Sequence, residues 1–218
     1  MIRSLLILTF ALLSCGTPRG KAPVKISPTD TVIVFSDHVK LIGQHSEDFG
    51  GTSFNPISIL FDDKIIFKDT INEYWLTGYE SDQYPKYLHC SDSSSQLLIE
   101  VDERPNNNEL FRLKISNDGQ IQQDRLPLFT WSPKDIDHDG KLELFGSLTN
   151  GETISNGDTA FYNPTLVYEF SINCLTLDST STIKLNKGVW SKFYGYYYND
   201  TLLLPFKKNY NLDEIFHL

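Results

Sequence analysis

The sequence predicts an all-β protein made of antiparallel hairpins, and three observations carry that reading. From Thr31 onward the chain breaks into short runs rich in β-branched and aromatic residues: "TVIVF", "ISILF", "KIIFK", "QLLIEV", "ELFRLKIS", "KLELFG", "TLVYEFS" and "TLLLPF". Asn, Asp, Gly, Pro and Ser separate these runs, as turn chemistry requires. Helical periodicity is nearly absent, with "NLDEIF" near the C-terminus as the one short helical turn the pattern allows. Many short strands at regular spacing mean a sandwich, a barrel or propeller-like sheets. A chain of 218 residues with 40% hydrophobic content is long enough and apolar enough for a single domain with a real core.

The elements follow in chain order. In "MIRSLLILTFALLSCG", Arg3 precedes an apolar run from Leu5 to Leu13. That run is shorter than the roughly 20 residues needed to span a bilayer and matches the h-region of an export signal. Residues 1–14 are therefore predicted to be a signal peptide and are set aside from the fold. Leu12-Leu13-Ser14-Cys15-Gly16 resembles the bacterial lipobox, in which a small residue precedes a cysteine that is diacylated and becomes the new N-terminus. The resemblance implies that Cys15 carries lipid, palmitate included, and that the mature protein is held in the cell envelope at a membrane, on its periplasmic face or at the cell surface. Two or three acyl chains suffice for stable anchoring without a transmembrane helix. An ordinary secretory signal ending at a chance cysteine is the other reading of the same residues. Residues 15–30 hold three prolines, two glycines and three basic residues with no apolar periodicity, so they predict a flexible tether. Residues 31–218 remain as one all-β domain.

Within that domain three connections read as hairpins: Asp62-Asp63, Asn117-Asp118-Gly119, and Asn199-Asp200 between the tyrosine run and "TLLL". Asn, Asp and Gly tolerate the left-handed conformation that tight hairpin turns demand. Cys90 and Cys174 form an even pair in an exported chain, compatible with one disulfide or with two separate buried thiols. Neither belongs to a CxxC, which leaves redox catalysis and zinc binding without support.

The stretch "SPKDIDHDGKLELFG", Ser132 to Gly146, is the most chemically specific part of the sequence. Counting Asp135 as position one, carboxylates fall at one, three and five (Asp135, Asp137, Asp139), Gly140 at six and Glu143 at nine. Hard oxygens at alternate positions can converge on one Ca2+ when the loop curls, with the backbone carbonyl of Lys141 adding a further oxygen. An EF-hand needs a bidentate acid at position twelve, which Gly146 occupies here, and helices on both sides. The arrangement instead resembles the calcium loops of FG-GAP and VCBS repeats of integrin-type β-propellers. Asp135, Asp137, Asp139 and Glu143 match that pattern, with Glu143 standing where aspartate is commoner. The resemblance covers about fifteen residues in one copy, and a chain this short has no room for a complete propeller, so it implies one or two blade-like sheets and a structural Ca2+. A metal-free Asx-type turn is the alternative reading of the same residues, and His138 is expected to point away from any ion.

Other signals are weaker. "WSKFYGYYYND" offers Trp190, Phe193, Tyr194, Tyr196, Tyr197 and Tyr198 as a stacking platform, although strand alternation would send half of them to the core. Asp62-Asp63 and Asp102-Glu103 read as solvated turns rather than a glycosidase pair, and the histidines are scattered. Asp-Thr and Asp-Ser steps, such as Asp69-Thr70-Ile71 and Asp178-Ser179-Thr180, resemble an O-glycosylation acceptor of exported proteins in some Gram-negative lineages, and are also ordinary turn chemistry. No GxSxG, P-loop or GxGxxG occurs. A formal charge of −9 argues against nucleic acid, which would be repelled. The sequence therefore points to a lipid-anchored, non-catalytic envelope module that binds a protein or glycan partner, with an envelope enzyme acting on polysaccharide as the alternative.

Overall fold

A computed structural model describes residues 27–46, 53–76, 84–91, 94–103, 108–129, 133–148, 153–154, 159–171, 174–207 and 211–216. The signal segment, Cys15 and the tether as far as residue 26 lie outside the described residues. At the end of the tether, Asp30 N–H donates to the Ser27 carbonyl at 3.1 Å and the Asp30 carboxylate accepts from Ser27 N–H at 2.7 Å. These last tether residues thus form a turn that feeds the first strand.

The fold is all-β, built of antiparallel hairpin sheets that do not close into a barrel. β1 (Asp30–Val34), β2 (Val39–His45), β3 (Phe54–Phe61) and β4 (Lys64–Asp69) form a four-stranded meander. β6 (Lys86–Ser91), β7 (Ser94–Val101), β8 (Glu109–Ser116) and β9 (Ile121–Pro127) form a second. The short β5 (Tyr74–Trp75) joins them, with Tyr74 opposite both Phe54 of β3 and Val101 of β7. Turn residues enforce the hairpins: Asp62 and Asp63 both take positive φ (49° and 59°), the conformation a tight two-residue turn needs, and Gly119 takes φ 77°. Each of the eight apolar runs singled out in the sequence falls in a strand to within one residue at an end.

The two meanders face each other across one core that includes Leu41, Ile57, Ile59, Leu97, Ile99 and Leu113, each fully buried. Phe67 of β4 meets Phe111 of β8 with ring centroids 5.1 Å apart. The second meander is covered on its other face as well. There Leu98, Leu110 and Leu126 pack against Leu144, Tyr168 and Leu175 of a three-stranded sheet, β10 (Leu142–Gly146), β13 (Leu166–Ser171) and β14 (Cys174–Leu177). Double coverage explains why β7 carries three consecutive apolar residues, Leu97, Leu98 and Ile99, and is buried without a break from Ser95 to Val101, since it has no solvent face. A third small sheet, β11 (Thr153–Ile154), β12 (Thr159–Tyr162) and β15 (Asn199–Pro205), completes the strands.

Three devices lock β14 to the second meander. Cys90 of β6 and Cys174 are joined in a disulfide, Cα atoms 4.8 Å apart. The buried Gln96 side chain donates to the Leu175 carbonyl at 3.3 Å and accepts from its N–H at 3.2 Å, acting as a short piece of strand edge. Arg112, 5% exposed, also donates to the Leu175 carbonyl at 2.9 Å while pairing through Nε and Nη2 with the Asp124 carboxylate.

The structure corrects the expectation of a nearly helix-free chain. α1 (Ser179–Trp190) is a twelve-residue helix, and α2 (Leu212–Phe216) is the short turn expected from "NLDEIF". Ser, Thr, Asn and Gly are poor helix formers, which hides α1 from a propensity reading. Its start is nonetheless well capped, because the Asp178 carboxylate accepts from Thr180 N–H at 2.9 Å and Ser181 N–H at 3.0 Å. The Asp178-Ser179-Thr180 step is thus a helix start. Three polar residues of α1, Ser181, Thr182 and Asn186, are buried. Thr182 hydroxyl accepts from Val167 N–H at 2.9 Å, and Asn186 serves both the N–H (3.0 Å) and carbonyl (2.7 Å) of Thr165. We expect Asn186→Ala to lower the unfolding free energy by about 1–3 kcal/mol, the usual result of orphaning buried backbone groups, measured by urea denaturation with an unchanged m-value. Asn199-Asp200 is likewise not a hairpin turn but the opening of β15, and residues 191–198 are irregular rather than strand.

Candidate metal centre

The loop from Asp135 to Leu142 is closed at its base by a two-bond bridge between Lys134 and Glu143 (Lys134 N–H to Glu143 carbonyl, 3.0 Å, and the reverse, 2.7 Å). This bridge sets Glu143 at the entrance of β10 with its side chain directed back into the loop, where Glu143 Oε2 accepts from Ile136 N–H at 2.9 Å. Ile136, 6% exposed, plugs the loop into the core formed by Val167, Leu185 and Trp190. The remaining turns are made by the aspartates themselves. Asp135 Oδ2 accepts from Gly140 N–H at 3.1 Å and Asp137 Oδ1 from Asp139 N–H at 3.2 Å, while Gly140 takes φ 87°. Ser181, in the first turn of α1, donates to Asp137 Oδ2 at 3.1 Å and ties the loop to the helix.

Oxygens of Asp135, Asp137 and Glu143 lie within 4.8 Å of one another. Two oxygens that share one Ca2+ at about 2.3–2.6 Å stand at most about 5 Å apart, so this spacing fits a common ion. Asp135 Oδ1 is shut off from solvent and accepts no hydrogen bond. Glu143 is 2% exposed, and burial together with the charges of Asp137, Asp139 and Asp135 pushes its carboxyl up to about 7. Without a cation the loop therefore holds an unsatisfied oxygen and a carboxylate under repulsion.

Asp139 stands outside this trio. Its carboxylate accepts from Lys141 N–H at 2.8 Å and pairs with Lys141 Nζ at 3.2 Å, contacts that hold it below the usual carboxylate range. Lys141 Nζ also reaches Glu169 at 2.7 Å. His138 is exposed with φ 63°. Of the four acids expected from the sequence, Asp135, Asp137 and Glu143 come together and Asp139 does not, and Ser181 was missed because the helix that carries it was itself unforeseen.

The other candidates resolve differently. Trp190 is buried against Tyr162 and Phe206, with ring centroids 5.4 and 5.5 Å away, whereas Tyr197 is 78% exposed. Asp62 and Asp63 form a hairpin turn, and Glu103 pairs with Arg125 at 3.1 Å. Among the described residues no helix is long and apolar enough to cross a membrane. Comparison with family models, curated proteins and solved structures returned no match.

Proposed function

We propose that this chain is a lipid-anchored, non-catalytic β module of the bacterial cell envelope, binding a protein or glycan partner, with a structural Ca2+ in the loop that resembles an FG-GAP/VCBS calcium site. The observations that carry the metal are that Asp135 Oδ1 is buried without a hydrogen-bond partner and that the Asp135, Asp137 and Glu143 carboxylates gather within the reach of one ion. Asp135, Asp137 and Glu143 would hold it, with the Lys141 carbonyl as a further oxygen and Asp139 joining only by giving up its pair with Lys141. Such an ion neutralises the trio and stiffens the junction between β10 and α1, since Asp137 is bound to Ser181. Carboxylates used in coordination are not free for acid-base work, which favours a structural role over a catalytic one. Calcium titration calorimetry tests this directly: one site is expected in the parent at up to millimolar ion and none in Asp137→Ala, and equal binding by both would refute the assignment.

The anchor follows from Cys15 at the end of the apolar segment and carries its own prediction. Cys15→Ala is expected to move the protein from the membrane pellet to the soluble fraction after cell disruption. A variant that stays with the membrane would leave the lipid reading without support.

A further inference from the structure

The two meanders that share the first core are joined through β5 at one end and part at the other, where the hairpin turns lie. Between the parted ends is a cleft of about 340 Å3, within the roughly 300–1,000 Å3 typical of small-molecule sites. Its floor is Val39, Ser95 and Ile115, all buried, and its walls are the half-buried rings of Phe61 and Tyr87. Phe35 stacks on Tyr87 at 5.6 Å and His38 on Phe61 at 5.8 Å, so the walls are set before a ligand arrives. The exposed rim carries His38, Asp62 and His89. His38 Nδ1 lies 2.7 Å from Asp62 Oδ1, so a neutral imidazole donating there leaves Nε2 as an acceptor. A neighbouring hollow of about 370 Å3 shares Ser94, Ser95, Ile115 and Ser116 with the cleft and extends it past Gln120 and Gln122.

We propose that this cleft binds an uncharged oligosaccharide. It names the ligand of the binding module and rests on that reading, though not on the calcium loop. Ring walls need a ligand with apolar faces, and a rim and extension of imidazole, carboxylate, hydroxyl and amide, with Lys114 the one ammonium of the extension, need one whose edges both donate and accept hydrogen bonds. A sugar ring has C–H faces and hydroxyl edges. Acidic glycans and phosphates meet Asp62 with Asp37 and Asp63 beside it, on a chain of net charge −9. At the turns, Asp62 N–H already bonds the His38 carbonyl and Gly119 N–H the Ser116 carbonyl, both at 2.9 Å, so neither is open to an added peptide strand. Cleavage is not part of the proposal. Ser36 hydroxyl is engaged by His38 and Val39 N–H, Ser116 hydroxyl donates to Asp118, and Asp62 is the single carboxylate among the described lining residues.

Titration calorimetry of the full-length chain against malto-, cello-, xylo-, manno- and chitohexaose tests this. Binding by at least one sugar is expected, weakened roughly tenfold or more by Asp62→Asn and by His89→Ala. Both positions are exposed, and asparagine keeps the left-handed turn, so near-UV circular dichroism is expected to match the parent. Binding that persists in both variants, or that disappears in EDTA, places the sugar elsewhere and overturns the cleft while the module reading stands. Binding by none of these sugars, or preference for oligogalacturonate or a peptide, also overturns it. If no sugar binds and no envelope protein is captured either, the module reading falls with it.

Discussion

Alanine at both Cys90 and Cys174 is expected to lower the unfolding free energy by about 4–5 kcal/mol, the chain-entropy value for opening a loop of this length. The two cysteines are 84 residues apart, so the bond removes a large share of the unfolded chain's freedom. In the folded state it closes the seam between the second meander and the sheet that leads into α1. Gln96 and Arg112 hold the same seam through Leu175, so the double variant still folds and the loss is read as a shift in denaturation midpoint. Dithiothreitol added to the parent is expected to reproduce the shift and to leave the double variant unmoved. A change below about 1 kcal/mol would mean that Gln96 and Arg112 alone carry the seam.

Calcium at a hundredfold excess over its dissociation constant is expected to raise stability by about 2.7 kcal/mol, or roughly 5–10 °C in melting temperature for a chain of this size. The increment is expected to vanish in Asp135→Asn, which keeps the shape of the side chain and removes its charge. The metal-free protein has a pH signature of its own. Glu143 ionises near pH 4.5 when unfolded but is pushed up to about 7 in the fold, by burial first and by the neighbouring aspartates next. Between those values the folded state binds the extra proton, so stability falls as pH rises from about 4.5 through about 7 and then levels off. Melting curves across that window are expected to show this decline in EDTA and to lose it in calcium, because the ion supplies the charge that the proton otherwise supplies. A decline of the same size in both conditions would detach Glu143 from the metal.

The residues explain what the sequence made legible. "KIIFK" and "TLVYEFS" read as strands because β-branched and aromatic side chains suit a pleated surface whatever their distant neighbours are, and Asp62-Asp63 and Asn117-Asp118-Gly119 read as hairpins because left-handed turns are local chemistry. α1 was illegible because its stability comes from Thr182 and Asn186 bonding to the β13 backbone and its flank, an interaction no propensity contains. β14, "CLTL", was too short to register and is held by the long-range contacts of Gln96, Arg112 and Cys90. Asn199-Asp200 has turn composition but enters β15, so pairing with β12 overrode local preference. In the loop, the spacing of acids led to the expectation that Asp135, Asp137, Asp139 and Glu143 converge; Asp135, Asp137 and Glu143 do, while Asp139 pairs with Lys141, whose ammonium also reaches Glu169 on the adjacent strand. The cleft at the parted hairpins had no sequence signal, because its residues come from both meanders.

Diffraction from crystals grown with terbium in place of calcium addresses the metal site most directly. One anomalous peak is expected, bounded by Asp135, Asp137 and Glu143 and about 2.3–2.6 Å from their oxygens, with Asp135 Oδ1 among them. A loop without a peak, its acids turned apart and Asp135 Oδ1 hydrogen-bonded to water, would contradict it.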